Sequence, residues 1–247
     1  MSDPVIVPKS ERPAKPQKGG FFSNLLFNII VPVVILTKFS GETALGPVWS
    51  IVVALTFPIA YGLWEMRLTG KVNGFSILGV VSVLLTGGIS LLQLDPKYIA
   101  IKEAAIPGLI GLAVIVSQKS HRSIVKMMIF NDQIIEINKV HDALAQHGNE
   151  KLFEQRMNIV TYLVASSFFL SSALNYILAK IVLQSPPGTT EFSEELGKMT
   201  ALSYPVIVIP SMIVLVIAIS FLFMQLKKLT KLPLEELMVD TGSKSDD

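Results

Sequence analysis

The sequence contains no cysteine. This absence excludes disulfide bonds, a thiolate nucleophile and a cysteine-ligated metal. The common catalytic signatures are also missing, because there is no glycine-rich phosphate loop, no H-E-x-x-H pair and no G-x-S-x-G elbow. The histidines are His121, His141 and His147, and no two of them are spaced to lie on adjacent turns of a helix. We therefore predict that the protein is not an enzyme and has no metal or cofactor site.

Charge is also scarce. Charged residues make up 16% of the 247 residues, whereas a soluble domain has about 25%. Hydrophobic residues make up 51% of the sequence, and the mean hydropathy is +0.56. The net charge of +2 is too small to indicate a nucleic-acid partner, and the cations lie between apolar runs rather than in one basic stripe. This composition is typical of an integral membrane protein whose main partner is the lipid bilayer.

Six apolar runs are long enough to cross a bilayer, which takes about 20 residues. They cover residues 22–37, 46–64, 74–92, 99–117, 159–183 and 199–224. The first three connections are short, which favours antiparallel neighbours in an up-and-down bundle. We therefore predict an all-α fold, a polytopic membrane bundle of six transmembrane helices.

The other segments are polar. Residues 1–20 carry four prolines among lysines and arginines, which is typical of a disordered tail. The first apolar run leads into further spans, so we interpret it as a retained anchor rather than a signal peptide. The predicted organisation is a cytoplasmic tail at 1–20, four spans within 21–117, a cytoplasmic amphipathic segment at 118–158, two spans within 159–224 joined by an outer loop at 184–198, and a cytoplasmic tail at 225–247.

The distribution of cations predicts the orientation. If the amino terminus is inside, most of the 21 Lys and Arg residues fall on the inner side. The exceptions are Lys38, Lys97, Lys102, Lys180 and Lys198. The positive-inside rule then places both termini in the cytoplasm. Six spans also require both termini to lie on one side.

Two polar segments carry their own patterns. Apolar residues in 118–158 fit one or two amphipathic helices, which form either a helical hairpin on the inner face of the membrane or a docking site for a cytoplasmic partner. In the outer loop, Ser193 precedes Glu194 and Glu195. This order is typical of a helix N-cap followed by acidic residues in the first turn.

Every predicted span contains a polar or helix-breaking residue. Five prolines are candidate helix kinks, namely Pro32, Pro58, Pro107, Pro205 and Pro210. Proline is also common in membrane helices because neighbouring helices absorb the kink, so a purely structural role is an equal alternative. Three runs echo one another, ALTFP at 54–58, AAIP at 104–107 and ALSYP at 201–205. A true repeat would give three related helical hairpins, an arrangement that brings broken helices together in many transporters.

Lys102 and Glu103 lie near the start of the fourth predicted span, where ionisable residues are unfavourable in lipid. Lys102 either snorkels to the outer surface or faces the bundle and pairs with a carboxylate on another span. Glu103 is the next residue on the helix, so we expect it to point elsewhere. In the second case we predict a polar pocket that opens outwards and is formed by Lys102, Glu103, Asn28, Asn175 and Tyr176.

Three runs carry a resemblance to known proteins: LLTGG at 84–88, KEAAIP at 102–107 and LGKMTALSYP at 196–205. They resemble a family of uncharacterised bacterial six-span inner-membrane proteins. The lysine ahead of a proline on a span that ends at Ser117 is more distantly similar to the intracellular septation protein A family, which is linked to envelope maintenance and division. That family is shorter and has no segment like 118–158. The resemblance implies a bacterial inner-membrane location and an envelope context, and it supplies no functional residues.

Two functions are compatible with these patterns. The kinked spans and the intramembrane polar residues favour a small transporter or lipid-handling permease, with a small molecule or a lipid as substrate. The resemblance, and the absence of a charged pathway through all six spans, favour a non-transporting scaffold in envelope biogenesis or septation. The transporter predicts water at the depth of the prolines. The scaffold predicts dry packing there, with envelope proteins bound to 118–158.

Overall fold

The computed structural model describes residues 25–69, 74–118, 124–129 and 135–239. Within these ranges the chain is helical apart from turns and one isolated β-bridge between Ile135 and Met238. The predicted all-α class is therefore confirmed for this part of the chain. The predicted tail at 1–20 and residues 240–247 lie outside the described residues.

The described helices are, in chain order, α1 (Leu26–Lys38), α2 (Gly46–Thr69), α3 (Gly74–Leu91), α4 (Lys97–Gln118), α5 (Ile124–Ile129), α6 (Ile137–Gln146), α7 (Glu150–Val182), α8 (Thr190–Thr230) and α9 (Leu234–Leu237). Four of these helices, α2, α4, α7 and α8, are long and apolar enough to cross a membrane. The other two predicted spans coincide with α1 and α3. Helix α1 and the part Val81–Leu91 of α3 are apolar but shorter. Helices of membrane length are thus present, while the number of six spans stays a prediction.

Two π-helical turns accompany three of the five candidate kink prolines. α1 begins with the turn Leu26–Ile30, and α8 contains the turn Tyr204–Val208. After each turn one residue intervenes before a proline, Pro32 in α1 and Pro210 in α8. Proline has no N–H and its ring clashes with the carbonyl four residues back, and the wider π turn changes the hydrogen-bond register just ahead of it. Pro205 lies inside the second turn.

The other two prolines, Pro58 and Pro107, lie inside α2 and α4, and both helices continue through them. In α4, the Ser172 hydroxyl of α7 donates a 2.7 Å hydrogen bond to the carbonyl of Ala104, three residues before Pro107. Pro107 removes the helical donor of the Glu103 carbonyl, four residues back, so the Ser172 hydrogen bond lies one residue from the freed carbonyl and links α4 to α7 beside the proline. The prolines of the sequence echo therefore do not share one local structure, since Pro205 lies in a π turn.

Helix α7 runs through the bundle and packs along α4 and against the second half of α8. Small residues bring α4 and α7 close together. A Cβ placed on Gly108 would lie 3.1 Å from the Ser172 hydroxyl oxygen, and one placed on Gly111 would lie 3.1 Å from the Phe168 Cβ. Gly108 and Gly111 therefore let α4 and α7 approach each other closely.

Buried apolar residues form two clusters at opposite ends of α7. The first joins Met157 and Val160 to residues of α4, α5, α6, α8 and α9. The second joins Leu178 and Leu183 to residues of α1, α2, α4 and the first half of α8. In the predicted orientation the first cluster is at the cytoplasmic end and the second at the outer end.

The described part of the predicted segment 118–158 packs against protein. α6 buries Val140, Ala143 and Leu144, and its neighbours are α7, α8 and α9. Residues 150–158 are the first turns of α7, which at 33 residues is about 50 Å long and exceeds a bilayer core of about 30 Å. The predicted tail 225–247 is likewise folded as far as residue 239, where α9 follows α8.

The predicted outer loop 184–198 is mostly helical. α8 begins at Thr190, and its N-cap is Thr189, whose hydroxyl accepts a hydrogen bond from the Phe192 amide at 3.1 Å. The prediction that Ser193 is the N-cap is therefore wrong by four residues. The chain starts its helix earlier because Phe192 is then fully buried in the second apolar cluster.

Candidate functional site

Lys102 is buried between α3 and α4, with 9% of its surface exposed. Its ammonium nitrogen lies 2.6 Å from Thr86 Oγ1, 3.2 Å from Ser82 Oγ and 3.3 Å from the Ser82 carbonyl oxygen. Ser82 and Thr86 are four residues apart on α3, so their side chains share one face of that helix. Helix α3 thus presents a pair of hydroxyls to the lysine of α4.

The remaining partner of Lys102 is Glu103, whose Oε1 lies 2.5 Å from the lysine nitrogen. The expectation that Glu103 points elsewhere is wrong, because the long lysine side chain reaches its neighbour on the same turn. Of the two alternatives for Lys102, the structure has the lysine facing the bundle, but with its carboxylate on the same helix. The pair is formally neutral, and the hydroxyls of α3 add hydrogen bonds that offset part of its desolvation.

The other three predicted pocket residues are not among the hydrogen-bond partners of Lys102 in the described part of the chain. Asn28 lies in the π-helical turn of α1, which packs against α2 and α8. Asn175 on α7 donates a 2.8 Å bond to the Ser171 carbonyl of its own helix. Tyr176 is 44% exposed. The structure therefore brings together only two of the five predicted residues, Lys102 and Glu103.

Sequence reasoning missed the contribution of α3. A signal was present, because Ser82, Thr86 and Ser90 recur every four residues and form a polar stripe on a mostly apolar helix. Such a stripe in a membrane helix indicates the face that is turned towards other protein. Thr86 and Ser90 are buried, as this pattern predicts.

The connections next to this cluster contact each other. In the turn between α3 and α4, Gln93 has a left-handed backbone with φ 54°. Gly188, between α7 and α8, has φ 87°, and a Cβ there would lie 2.7 Å from the Gln93 side-chain nitrogen. The same connection is fixed by Glu195, whose carboxylate accepts hydrogen bonds from the amides of Gln184 and Ser185, both 2.9 Å long. The loop between α3 and α4 and the loop between α7 and α8 therefore pack against each other and cover this end of the bundle.

A second candidate site lies at the opposite end of the bundle. It is a cleft of about 590 Å³ between α5, α6 and the first turns of α7. Apolar and charged side chains line it together, namely Ile137, Val140, Leu144, Phe153, Lys126, His141, Glu150, Lys151 and Glu154. Two pairs lie on its rim, the Lys126–Glu154 ion pair at 3.6 Å and a contact of 3.5 Å between His141 Nε2 and the Glu150 carboxylate. An apolar floor with a charged rim is suited to an amphipathic peptide or helix.

Comparison with known proteins gives no relative. No family model, no curated protein and no solved structure matches this chain. The resemblance to inner-membrane and septation families therefore stays a prediction. Function has to be inferred from the chemistry of the sites themselves.

Proposed function

We propose that this protein is a small membrane transporter or lipid-handling permease whose polar site is the Lys102 cluster, defined as Ser82, Thr86, Lys102 and Glu103. The observation that carries the proposal is an ammonium–carboxylate pair between two apolar helices, in which Lys102 is buried and the Glu103 side chain is 25% exposed. Ionisable side chains inside apolar spans are rare because lipid disfavours them, and those that occur commonly belong to a substrate or ion pathway.

Helix packing alone does not require this pair. The neighbouring contact between α4 and α7 is closer, and it is built from glycine, alanine and the Ser172 hydroxyl without any charge. The charged pair between α3 and α4 is therefore an additional feature of that contact. This comparison favours a role in binding over a purely structural one.

The chemistry of the Lys102 cluster permits an exchange of partners. The hydroxyls of Ser82 and Thr86 act as donors as well as acceptors, whereas the ammonium group only donates. A polar group of a substrate therefore replaces one acceptor of Lys102 without leaving the ammonium group unpaired. In a low-dielectric environment such hydrogen bonds are stronger than in water.

We propose the same location as the sequence predicts, a bacterial inner membrane with both termini in the cytoplasm. The two ends of the bundle differ in their number of cations in the sense of the positive-inside rule. Described cations at the cleft end are Arg67, Lys126, Lys139, Lys151, Arg156, Lys227, Lys228 and Lys231, and those at or near the other end are Lys38, Lys97, Lys102, Lys180 and Lys198. A reporter enzyme that is active on only one side of the membrane, fused after residue 239 or inserted before Thr190, tests this orientation.

Single cysteines test the transporter directly, because the natural chain has none. We would place one cysteine at a time at Ser82 or Thr86 in the cluster, at Leu109 as a lipid-facing control and at Glu42 as an exposed control. A membrane-impermeant thiol reagent is then added to each side of sealed vesicles. We expect labelling at a cluster position from at least one side and none at Leu109. Protection of both cluster cysteines, while Glu42 is labelled, would contradict a water-filled transport pathway there.

The second candidate function is a non-transporting scaffold in envelope biogenesis or septation. The cleft between α5, α6 and α7 favours it, because an apolar floor with a charged rim is suited to a protein segment. A photo-crosslinking residue at Lys151 on the rim would then capture an envelope protein in cells. The same residue at Lys198, at the other end of the bundle, is the control, and equal capture at both positions would count against the scaffold.

A further inference from the structure

The face of α4 that carries Lys102 is covered at one level and open at the next. Lys102, Leu109 and Val116 are spaced by seven residues and lie on nearly the same face of the helix. Lys102 is 9% exposed, whereas Leu109 is 65% and Val116 is 61% exposed. Helix α3 therefore covers this face at the Lys102 cluster and leaves it open further along α4.

The flanks of the cluster are also apolar and exposed. Ile101, which precedes Lys102, is 52% exposed, and Leu85, which precedes Thr86, is 47% exposed. The Glu103 side chain is itself 25% exposed. Large apolar side chains that are exposed on the helices of a membrane bundle contact acyl chains. The polar cluster is thus continuous with a surface that faces lipid.

Entry from the adjacent aqueous side is restricted. The turn that joins α3 to α4 is held by hydrogen bonds from the Leu94 amide to the Ile89 carbonyl at 3.0 Å and from the Gln93 amide to the Ser90 carbonyl at 3.2 Å. The loop that contains Gly188 packs directly on Gln93. A molecule that reaches Lys102 along the open face of α4 comes from the bilayer, so it has to be amphiphilic.

We infer that the substrate of the Lys102 cluster is a membrane lipid with an anionic head group. It enters between α3 and α4 and places an acyl chain along Leu109 and Val116. The 14 residues from Lys102 to Val116 correspond to about 21 Å of helix, within a hydrocarbon core of about 30 Å. The head group replaces Glu103 as the acceptor of the lysine N–H, and the partly exposed Glu103 carboxylate turns away from the lysine. The Ser82 and Thr86 hydroxyls donate to the head group, and Thr86 gives up its hydrogen bond to the Ser82 carbonyl. This inference rests on the proposed function and adds the substrate class and its route of entry.

Lipid binding by the purified full-length protein tests the inference. Delipidated protein is titrated with phosphatidylglycerol or with phosphatidylcholine of the same acyl chains, and binding is measured by native mass spectrometry. We expect the natural protein to prefer phosphatidylglycerol and Lys102→Met to bind it about tenfold more weakly, because a charge-assisted hydrogen bond is lost. Lys97→Met is the matched control, since this lysine is on the same helix but its side chain is 51% exposed. We expect it to bind as the natural protein does.

Several results would overturn the inference. These are equal binding of the two lipids, equal binding by Lys102→Met and the natural protein, the same loss in Lys97→Met, or equally tight binding of glycerol phosphate without acyl chains. If Lys102→Met does not fold, Thr86→Val replaces it, and a loss of about tenfold is expected here too, because the hydroxyl's hydrogen bond to the anionic head group is charge-assisted. Cluster cysteines that are labelled from water in a protein that binds no lipid would leave the transporter standing and remove only the lipid. Protected cysteines and no lipid binding would remove both.

Discussion

Replacing Lys102 by methionine removes the cation of the buried pair while it keeps most of the apolar stem. Glu103 then loses the partner that lies 2.5 Å away, and the Thr86 hydroxyl loses a 2.6 Å bond. Removal of one partner from a buried pair costs about 3–5 kcal/mol. The Glu103 side chain is 25% exposed, so solvent screening reduces this figure. We expect the free energy of unfolding to fall by about 2–3 kcal/mol.

A double-mutant cycle isolates the pair. Lys102→Met, Glu103→Gln and the double variant are unfolded from mixed micelles with increasing SDS, and helix content is followed by circular dichroism. We expect a coupling free energy of about 2 kcal/mol between the two residues. The matched control is the pair of Lys97 and Asp95, 3.3 Å apart with side chains 51% and 54% exposed, for which about 0–1 kcal/mol is expected. Equal coupling in the two cycles would refute the burial of the Lys102 pair.

Three further predictions concern packing and the loops. Gly111→Val should lower the free energy of unfolding by about 1–3 kcal/mol, because a Cβ there would lie 3.1 Å from α7, whereas Gly88→Ala, with nothing within 4 Å, should not destabilise the protein in thermal unfolding. Glu195→Gln should speed hydrogen exchange at the Gln184 and Ser185 amides, which donate hydrogen bonds to the Glu195 carboxylate. Glu194→Gln should leave the exchange of these amides unchanged. The hydrogen bond from the Lys97 amide lowers the pKa of the Asp95 carboxyl below its ordinary 3.8. The stabilisation of the turn by this carboxylate is therefore present above that pH and is lost as the pH falls through the lower pKa of the folded state. NMR titration should show this loss, and Asp95→Asn should abolish it.

The membrane-length helices could be predicted from the sequence because the bilayer imposes their length and apolar composition. The runs 46–64, 99–117, 159–183 and 199–224 all lie within α2, α4, α7 and α8, apart from one residue at 183. Hydropathy did not reveal how far these helices continue beyond the apolar run. The first turns of α7 and α8 are polar, and they are helical because they pack on other protein.

The partners of Lys102 depend on information that one sequence does not contain. The spacing of Ser82 and Thr86 puts them on one face of α3, but only the packing determines that this face meets α4. The argument that neighbours on a helix diverge failed for Glu103, because it treats side chains as short and a lysine stem is long and flexible. Asn175 was expected at the pocket because it is polar within an apolar span, yet it satisfies its amide within its own helix.

The N-cap of α8 shows the same limit on a local scale. Threonine and serine are both favourable N-cap residues, so Thr189 and Ser193 are equivalent by propensity. The choice follows from tertiary packing, because starting the helix at Thr190 buries Phe192 completely.

We propose that the Lys102 cluster is the place where this protein moves an amphiphile through the membrane. The most direct measurement is the transfer of a fluorescent phosphatidylglycerol between the leaflets of proteoliposomes, detected by a reductant that does not cross the membrane. We predict faster transfer with the natural protein than in empty vesicles, loss of that gain with Lys102→Met, and its retention with Lys97→Met. Transfer no faster than in empty vesicles, or unchanged in Lys102→Met, would contradict the claim.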